Sequence, residues 1–366
     1  MAKTILGVDI GHDQLKLALV RGNKVLKTAS ADMPENLLRD NRITSRESMA
    51  DLLRATMKQN KLRANHAAFV LPNDSVFIKN VEIPPMTVDQ LEYNLPFEFN
   101  DYITGERKDY VFDYAVVSDP DPKDAPGRGR KRGKKKAAAD EPPEENGGDG
   151  NGDGDSAAEE TTPTMELMAV GASIELLEDA QDTLRKAGLK LIRTAPAMCS
   201  YINLIRAQRE QLSGIGSEFG MLDLGHRSIH LYMFKNDRHV ATRVLEVGMS
   251  RLDEVLAEAY GVDEHLAHTY LMSNFENCQD REECLSAYES ISVELMRAMN
   301  FYRFSNPDSA LSDLWLCGGG AEIPALTQSI GDMLELDLHP ATELVPGGDG
   351  IEGCNRYAQA IGIAMG

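Results

Sequence analysis

The sequence predicts an α/β protein built from two duplicated lobes that face each other across a cleft. The first observation is a strand–turn–strand unit near the N-terminus, ILGVDIGHDQLKLALV, and the second is its copy in the other half, FGMLDLGHRSIHLYMF. Asn23 follows Asp9 by the same 14 residues that separate Asp237 from Asp223, so the next hairpin turn of each copy falls in register. A third observation is a short strand that runs into three glycines, LWLCGGG. Repetition of one unit indicates two related halves.

Composition and charge argue against several classes of protein. The 366 residues carry a formal net charge of −20, and binding to phosphate backbones needs a basic face, so we expect no nucleic-acid partner. The apolar runs are too short to cross a bilayer, and the N-terminus lacks the apolar segment of a secretion signal. The five cysteines are odd in number and form no CxxC pair, which is typical of reduced thiols. We therefore expect a cytoplasmic protein.

Hydrophobic periodicity and capping residues predict the elements of the first half. In order, they are the opening strands to about Ser30, a helix capped by Thr44 or Ser45, strands over 66–71 and 75–83, a helix capped by Thr87 and interrupted by Pro96, strands over 110–117 and 165–171, a helix closed by Gly188, a strand over 189–196 and a helix over 197–211.

The same signals predict the second half, which follows a glycine-rich hinge. After the second hairpin unit the predicted elements are helices over 250–260, 262–273 and 282–302, a strand over 314–317, a helix from about residue 323 and a final helix over 355–365.

The tract from about 118 to 164 differs in composition from the rest of the chain. Its centre, GRGRKRGKKKAAADEPPEENGGDGNGDGDSAAEE, has no aromatic residue and no Val, Ile, Leu or Met. It buries too little apolar surface to offset its ordering entropy, so we predict a disordered linker. Ordered structure is predicted again from Met165, where an apolar strand begins. The predicted domains are a first lobe over 1–74 and 188–212, an inserted α+β subdomain over 75–187 that the linker interrupts, and a second lobe over 213–366.

Three motifs stand in a specific order along the chain: VDIGHDQLKL, LDLGHRSIHL and LWLCGGGAEIPAL. Together they resemble the phosphate 1, phosphate 2 and adenosine motifs of the actin-like ATPase superfamily. Within that superfamily the chain is more similar to the PilM family of type IV pilus assembly, which is related to FtsA. The helix ending LMRAMNFY, the closing AQAIGIA and the inserted segment VEIPPMTVDQLEYNLPFEFNDYI carry this likeness. The resemblance covers nearly everything except the linker and implies an actin-like fold with a small inserted subdomain.

The resemblance implies that ATP and Mg²⁺ are bound between the lobes. Asp9 and Asp223 would hold Mg²⁺ through water, and Lys16 would neutralise the charge of the phosphates. The glycine turn would let the phosphates approach the backbone. The strand, glycine turn and helix start of the third motif also suit a nucleotide. The implied nucleotide-binding residues are Asp9, Gly11, Lys16, Asp223, Gly225, Ser228, Gly318, Gly319 and Gly320.

Several residues depart from the family pattern. His12-Asp13 stands where the first phosphate loop commonly has small hydroxyl residues, and Arg227 stands in the usually small second loop. A carboxylate about 5 Å from a phosphate would cost roughly 3 kcal/mol at an effective dielectric of 20. His268 and Leu271 replace the Glu and Lys that related proteins often have near the nucleoside. These departures predict slow hydrolysis at most, leave ATP binding open and assign no catalytic residue.

The eight histidines include the pair His12 and His226, which occupy equivalent loops of the two copies. This pair would suggest a metal site across the cleft, but nothing else in the chain has zinc-ligand spacing. We interpret the histidines as polar residues at loop ends.

The resemblance also implies a partner. PilM-like proteins bind the short N-terminal tail of the inner-membrane protein PilN in a groove beside the inserted subdomain, and the ring or filament so formed couples the membrane complex to other pilus assembly proteins. The expected role is thus a cytoplasmic scaffold at the inner face of the membrane, with ATP as a regulator and a homo-oligomer as a further expectation. Two alternatives stay open: a sugar-type kinase of the same superfamily, with Asp223 or Asp9 as base, and an FtsA-like cell-division protein.

Overall fold

The computed structural model describes residues 3–39, 41–118, 164–208 and 216–366. The linker predicted over 118–164 lies outside these described residues, apart from its two end positions. The end of the helix predicted over 197–211 and most of the hinge before Gly216 lie outside them as well.

The described strands follow the predicted order. They are β1 (Thr4–Ile10), β2 (Gln14–Arg21), β3 (Lys24–Asp32), β4 (Leu38–Arg39), β5 (Arg42–Ile43), β6 (His66–Leu71), β7 (Val76–Ile83), β8 (Tyr110–Ser118), β9 (Met165–Ser173), β10 (Lys190–Pro196), β11 (Glu218–Leu224), β12 (Ile229–Lys235), β13 (Arg238–Leu245), β14 (Asp313–Cys317) and β15 (Asp337–Pro340).

The described helices lie between these strands. They are α1 (Arg46–Gln59), α2 (Val88–Asn94), α3 (Ile174–Lys186), α4 (Ala197–Gln208), α5 (Ser250–Tyr260), α6 (Glu264–Ser273), α7 (Glu282–Ser305), α8 (Pro324–Leu334) and α9 (Ala358–Met365). None of these described helices is long and apolar enough to cross a membrane.

The two lobes have sheets of identical topology. Starting from the third strand of each lobe, the first sheet has the order β3-β2-β1-β6-β10 and the second the order β13-β12-β11-β14-β15. In each sheet the opening hairpins pair antiparallel, and the first strand of the lobe pairs parallel with a later strand, β1 with β6 and β11 with β14. The duplicated α/β fold predicted from the repeated hairpin is therefore confirmed.

Local signals set the helix ends as predicted. The Ser45 side chain accepts a hydrogen bond from the backbone of Ser48 at the start of α1. Thr87 and Gln90 form a capping box at the start of α2. Pro96 lies in the 3₁₀ turn that follows this helix, because proline cannot continue an α-helix interior.

The described part of the chain divides into two compact units. The smaller unit lies within Ile78–Ile103 and Phe112–Val170, and the larger comprises Met1–Phe77, Thr104–Val111 and Gly171–Gly366. The smaller unit holds most of a sheet in the order β7-β9-β8 together with α2.

Helix α3, which the domain prediction assigns to the insertion, falls in the larger unit. It packs on α1, where Arg46 pairs with Asp182 at 3.0 Å and hydrogen-bonds Asp179 at 2.6 Å. The predicted domain bounds themselves stay a prediction.

The last helix returns the chain to the first lobe. Helix α9 packs on α4 and β1, and Gly7 of β1 makes room for it, since a Cβ there would lie 1.7 Å from the carbonyl oxygen of Ala360. The Asn203 side chain of α4 donates to the Gly362 carbonyl at 3.0 Å. The sequence did not predict β4, β5 or β15. Strands β4 and β5 are two residues long each and pair with each other, and β15, which pairs with β14, is four residues long and ends in proline, so all three carry little strand signal.

Candidate functional site

A cavity of about 540 Å³ lies between the two lobes, at the ends of their central strands. Its lining includes most of the residues that the sequence predicts for nucleotide binding. These are Asp9, Gly11, Lys16, Asp223, Gly225, Ser228 and Gly319.

The register of the hairpins places the charged residues on its floor. Asp9 is the penultimate residue of β1 and pairs across the hairpin with Lys16, while Asp223 is the penultimate residue of β11 and pairs with His230. The two hairpins share one register, and all four of these residues line the cavity.

The negative charge of Asp9 is buried and only partly compensated. It is 8 % exposed, and the Lys16 ammonium lies 3.8 Å from its Oδ2. Burial raises the pKa of Asp9 to about 6; Lys16 opposes this rise, and the neighbouring Asp223 carboxylate adds to it. The ionised carboxylate is under-compensated, so this part of the cleft favours the approach of a further cation.

Asp223 is held by a side chain that the sequence did not point to. Gln359, at the start of α9, donates to Asp223 Oδ2 at 2.6 Å and lies 3.0 Å from the hydroxyl of Tyr201. The Cys317 thiol donates to the same hydroxyl at 3.3 Å, and burial raises the pKa values of Tyr201 and Cys317 well above their ordinary values. Both groups are therefore neutral and link β14, α4 and α9 beneath the cleft.

The three glycines after β14 do not share one role. Gly318 has φ +87°, and a Cβ there would lie 2.6 Å from Asp223 Oδ1. A Cβ at Gly320 would lie 2.5 Å from the Met249 sulfur, whereas one at Gly319 would meet no described atom within 4 Å. Of these three described residues, Gly319 borders the cleft, while Gly318 and Gly320 allow the turn to pack against the end of β11.

Both phosphate-loop glycines sit in tight turns. The Gly11 N–H donates to the Gln14 carbonyl at 3.0 Å, so it is already used within the turn. A Cβ at Gly225 would lie 2.6 Å from the Ser228 carbonyl oxygen. The Gly11 amide is therefore unavailable to an anion, whereas the Lys16 ammonium, on β2, lines the cavity.

A cluster of histidines and aspartates lies on another wall of the cavity, and the sequence did not predict it. His268 Nδ1 lies 3.0 Å from Asp253 Oδ2, and its Nε2 lies 3.5 Å from Asp13 Oδ2. Burial lowers the pKa of His268, but the hydrogen bond to Asp253 and the charges of Asp253, Asp13 and Asp32 raise it above its ordinary value. His226 joins the cluster from the second phosphate loop, with ring centroids 5.8 Å apart.

His12, by contrast, is disfavoured as a cation. Burial, Arg227 and His226 lower its pKa, and Asp74 opposes them only in part. The equivalent histidines of the two loops therefore have different surroundings.

Comparison with known proteins places this geometry in a class. A structure described as a PilM–PilN type IV pilus biogenesis complex matches with a TM-score of 0.76 at 20% identity, over 99% of this chain and 97% of that chain. The ethanolamine utilization protein EutJ from Carboxydothermus hydrogenoformans matches with a TM-score of 0.56 at 13% identity, over 100% and 89%. Two duplicated lobes around a cleft, with this similarity, define the actin-like ATPase fold, as expected from the three motifs.

The family follows from the sequence. The model of the family described as type IV pilus assembly protein PilM matches residues 7–126 and 155–345. No curated protein matches the chain. The chain belongs to the PilM family.

Proposed function

We propose that this chain is a type IV pilus assembly scaffold that binds the N-terminal tail of a PilN-like inner-membrane protein. The observation that carries the proposal is the family match over most of the chain. Fold similarity to a chain of a PilM–PilN complex over 99% of this sequence supports it. Bound to that tail, the scaffold would act at the inner face of the membrane and meet other pilus assembly proteins there, with self-association as a route to a ring or filament.

We infer that the cleft binds ATP together with Mg²⁺. The cavity of about 540 Å³ lies within the usual size of a small-molecule site. The under-compensated charge of Asp9, with Asp223 beside it, fits a divalent cation held through water. When bound, Mg²⁺ neutralises phosphate oxygens. Lys16 would meet the phosphates, and the open backbone at Gly319 would admit the nucleoside side of the ligand.

Nucleotide binding would regulate the scaffold rather than drive rapid turnover. The Asp13 carboxylate stands in the first phosphate loop, where an unscreened charge about 5 Å from a phosphate costs roughly 3 kcal/mol. His268, 3.5 Å from Asp13, offsets part of that repulsion without removing the carboxylate. Binding with slow hydrolysis suits a device that changes partner affinity.

The test is a titration of the full chain into a fluorescently labelled peptide, the cytoplasmic N-terminal segment of a PilN-like inner-membrane protein. We expect saturable binding, with an affinity that differs between MgATP and no nucleotide, and no saturation with a scrambled peptide of the same composition. Absence of saturable binding with and without MgATP would overturn the scaffold proposal. Equal affinity in both conditions would overturn the regulatory role alone.

A further inference from the structure

The histidine cluster of the cleft brings together side chains from three separate segments. Asp13 follows β1 in the first lobe, His226 follows β11 in the second lobe, and His268 lies on α6. One ligand atom of each lies within 4.8 Å of the others, which is close enough for all three to bind one ion. Each of the three is partly buried.

His268 is oriented like a metal ligand. Its Nδ1 contacts both oxygens of Asp253, at 3.0 and 3.2 Å, and Asp253 is 2 % exposed. An ionised carboxylate only accepts hydrogen bonds, so Nδ1 carries a hydrogen, and Nε2, which lies 3.5 Å from Asp13 Oδ2, is the nitrogen that a metal would bind in place of a proton. A carboxylate that holds the far nitrogen of an imidazole is the usual support of a metal-binding histidine.

His226 supplies an independent observation. Its Nδ1 is enclosed by protein, and among the described residues it has no hydrogen-bond partner. The Asp253 Oδ2 atom lies 3.6 Å away, beyond hydrogen-bond distance. Enclosed polar atoms in proteins nearly always have a partner, so this nitrogen, beside the Asp253 carboxylate, is available to a further ligand of the cluster.

We propose that Asp13, His226 and His268 bind a divalent transition-metal ion of the zinc class, with Asp253 positioning His268. Two imidazoles and one carboxylate match zinc, whereas Mg²⁺ prefers oxygen ligands alone. Three protein ligands leave a position open for water or an anionic oxygen. This site uses none of the residues assigned to Mg²⁺ and does not require nucleotide.

The site would connect the two lobes. Asp13 belongs to the first lobe, and His226 and His268 belong to the second, so an ion bound to all three ties the lobes together at the mouth of the cleft. Zinc would therefore hold the two lobes together across the cleft.

The experiment is a calorimetric titration of the metal-stripped full chain with ZnCl₂ at pH 7, without nucleotide. We expect about one Zn²⁺ per chain, with affinity at least tenfold weaker in His226→Ala and in His268→Ala. Asp253→Asn should weaken binding about 10- to 100-fold, because it removes the carboxylate that positions His268 but leaves all three proposed ligands in place. The matched control is His339→Ala, since His339 also contacts two carboxylates, Asp313 and Glu343, but lies outside the cluster.

A second measurement covers variants that fold poorly. Co²⁺ added to the unaltered chain should produce visible absorption bands, and excess Zn²⁺ should remove them. A Zn²⁺ affinity unchanged in His226→Ala and His268→Ala, or equally weakened in His339→Ala, would overturn the proposal. Absence of both Zn²⁺ binding and Co²⁺ bands would overturn it as well. Neither result bears on MgATP or peptide binding, so failure here is distinct from failure of the proposed function.

Discussion

Lys16 and His230 occupy equivalent positions in the two lobes. Each pairs across its hairpin with the aspartate near the end of the lobe's first strand. Lys16 lies 3.8 Å from its own aspartate, Asp9, whereas His230 Nε2 lies 3.6 Å from Asp74 of the other lobe. The duplicated fold thus has unequal halves: the first lobe places a permanent cation beside its aspartate, and the second uses a histidine that turns across the cleft.

The first prediction follows from that asymmetry. Lys16→Met should lower MgATP affinity at least tenfold, because the phosphates lose the ammonium beside Asp9. Calorimetry with excess Mg²⁺ measures the change, and Lys24→Met, at the exposed first residue of β3, serves as the control. Equal affinities of the parent chain and Lys16→Met would contradict the assignment of the phosphates to this loop.

The second prediction concerns Asp9 and stability. Its pKa rises from 3.8 to about 6 on folding, so the ionised form costs about 3 kcal/mol in the ligand-free protein. Asp9→Asn should therefore raise the free energy of unfolding by up to about 3 kcal/mol at pH 7.5, while lowering Mg²⁺-dependent ATP binding. Urea unfolding followed by circular dichroism measures the gain, with Asp51→Asn on the exposed face of α1 as control.

The contribution of Asp9 to the free energy of unfolding changes with pH in a definite direction. Between pH 4 and 6 the folded protein binds more protons at Asp9 than the unfolded chain does, so this residue makes stability fall as pH rises. The advantage of Asp9→Asn should shrink toward zero near pH 4. An advantage that is the same at pH 4 and pH 7.5 would show that the Asp9 charge is not its source.

The third prediction separates two adjacent glycines. Gly318→Ala should destabilise the chain by about 2–4 kcal/mol, because its φ of +87° disfavours a side chain and the new Cβ would lie 2.6 Å from Asp223 Oδ1. Gly319→Ala should change stability by less than about 1 kcal/mol but weaken MgATP binding, since it borders the cleft. Thermal unfolding and calorimetry measure both; similar stability loss in the two variants would contradict the separate roles.

The fourth prediction concerns Glu218, a buried carboxylate in β11. It accepts hydrogen bonds from the Tyr302 hydroxyl at 2.6 Å, and from the Ser309 hydroxyl and the Ala310 amide, both at 2.7 Å. Glu218→Gln should destabilise the second lobe by about 2 kcal/mol, because charge-assisted hydrogen bonds are lost. One of the three donors would then face the side-chain NH₂ group of the new glutamine, which cannot accept a hydrogen bond. The buried Trp315, next to Phe219, reports unfolding of this lobe by fluorescence.

The acid response of Glu218 supplies the check. Burial alone would raise its pKa, but these hydrogen bonds lower the pKa below its ordinary value. Its contribution is thus present above pH 4.5 and is lost as pH falls through the folded-state pKa. The difference between the parent chain and Glu218→Gln should narrow in acid, whereas exposed Glu352→Gln should match the parent at every pH.

The local elements were predictable because their signals are short-range. The caps at Ser45 and Thr87 act within three residues of themselves, and the alternation of each hairpin is visible strand by strand. Strand β15 was missed because a four-residue strand whose pairing comes from β14 has almost no signal of its own. The cleft residues Asp9, Lys16 and Asp223 were predictable because each lies in a short sequence motif, and such motifs, like the caps, are short-range signals.

The sequence by itself determined the duplicated fold, the family and the positions of Asp9, Lys16 and Asp223 at strand ends, since these depend on repeats and periodicities within short stretches. Only the tertiary structure decided that Gln359 holds Asp223 and that Asp13, His226 and His268 converge. Those contacts join residues from distant segments with no fixed spacing, and they exist only because two sheets of one topology bring their loops to a single cleft.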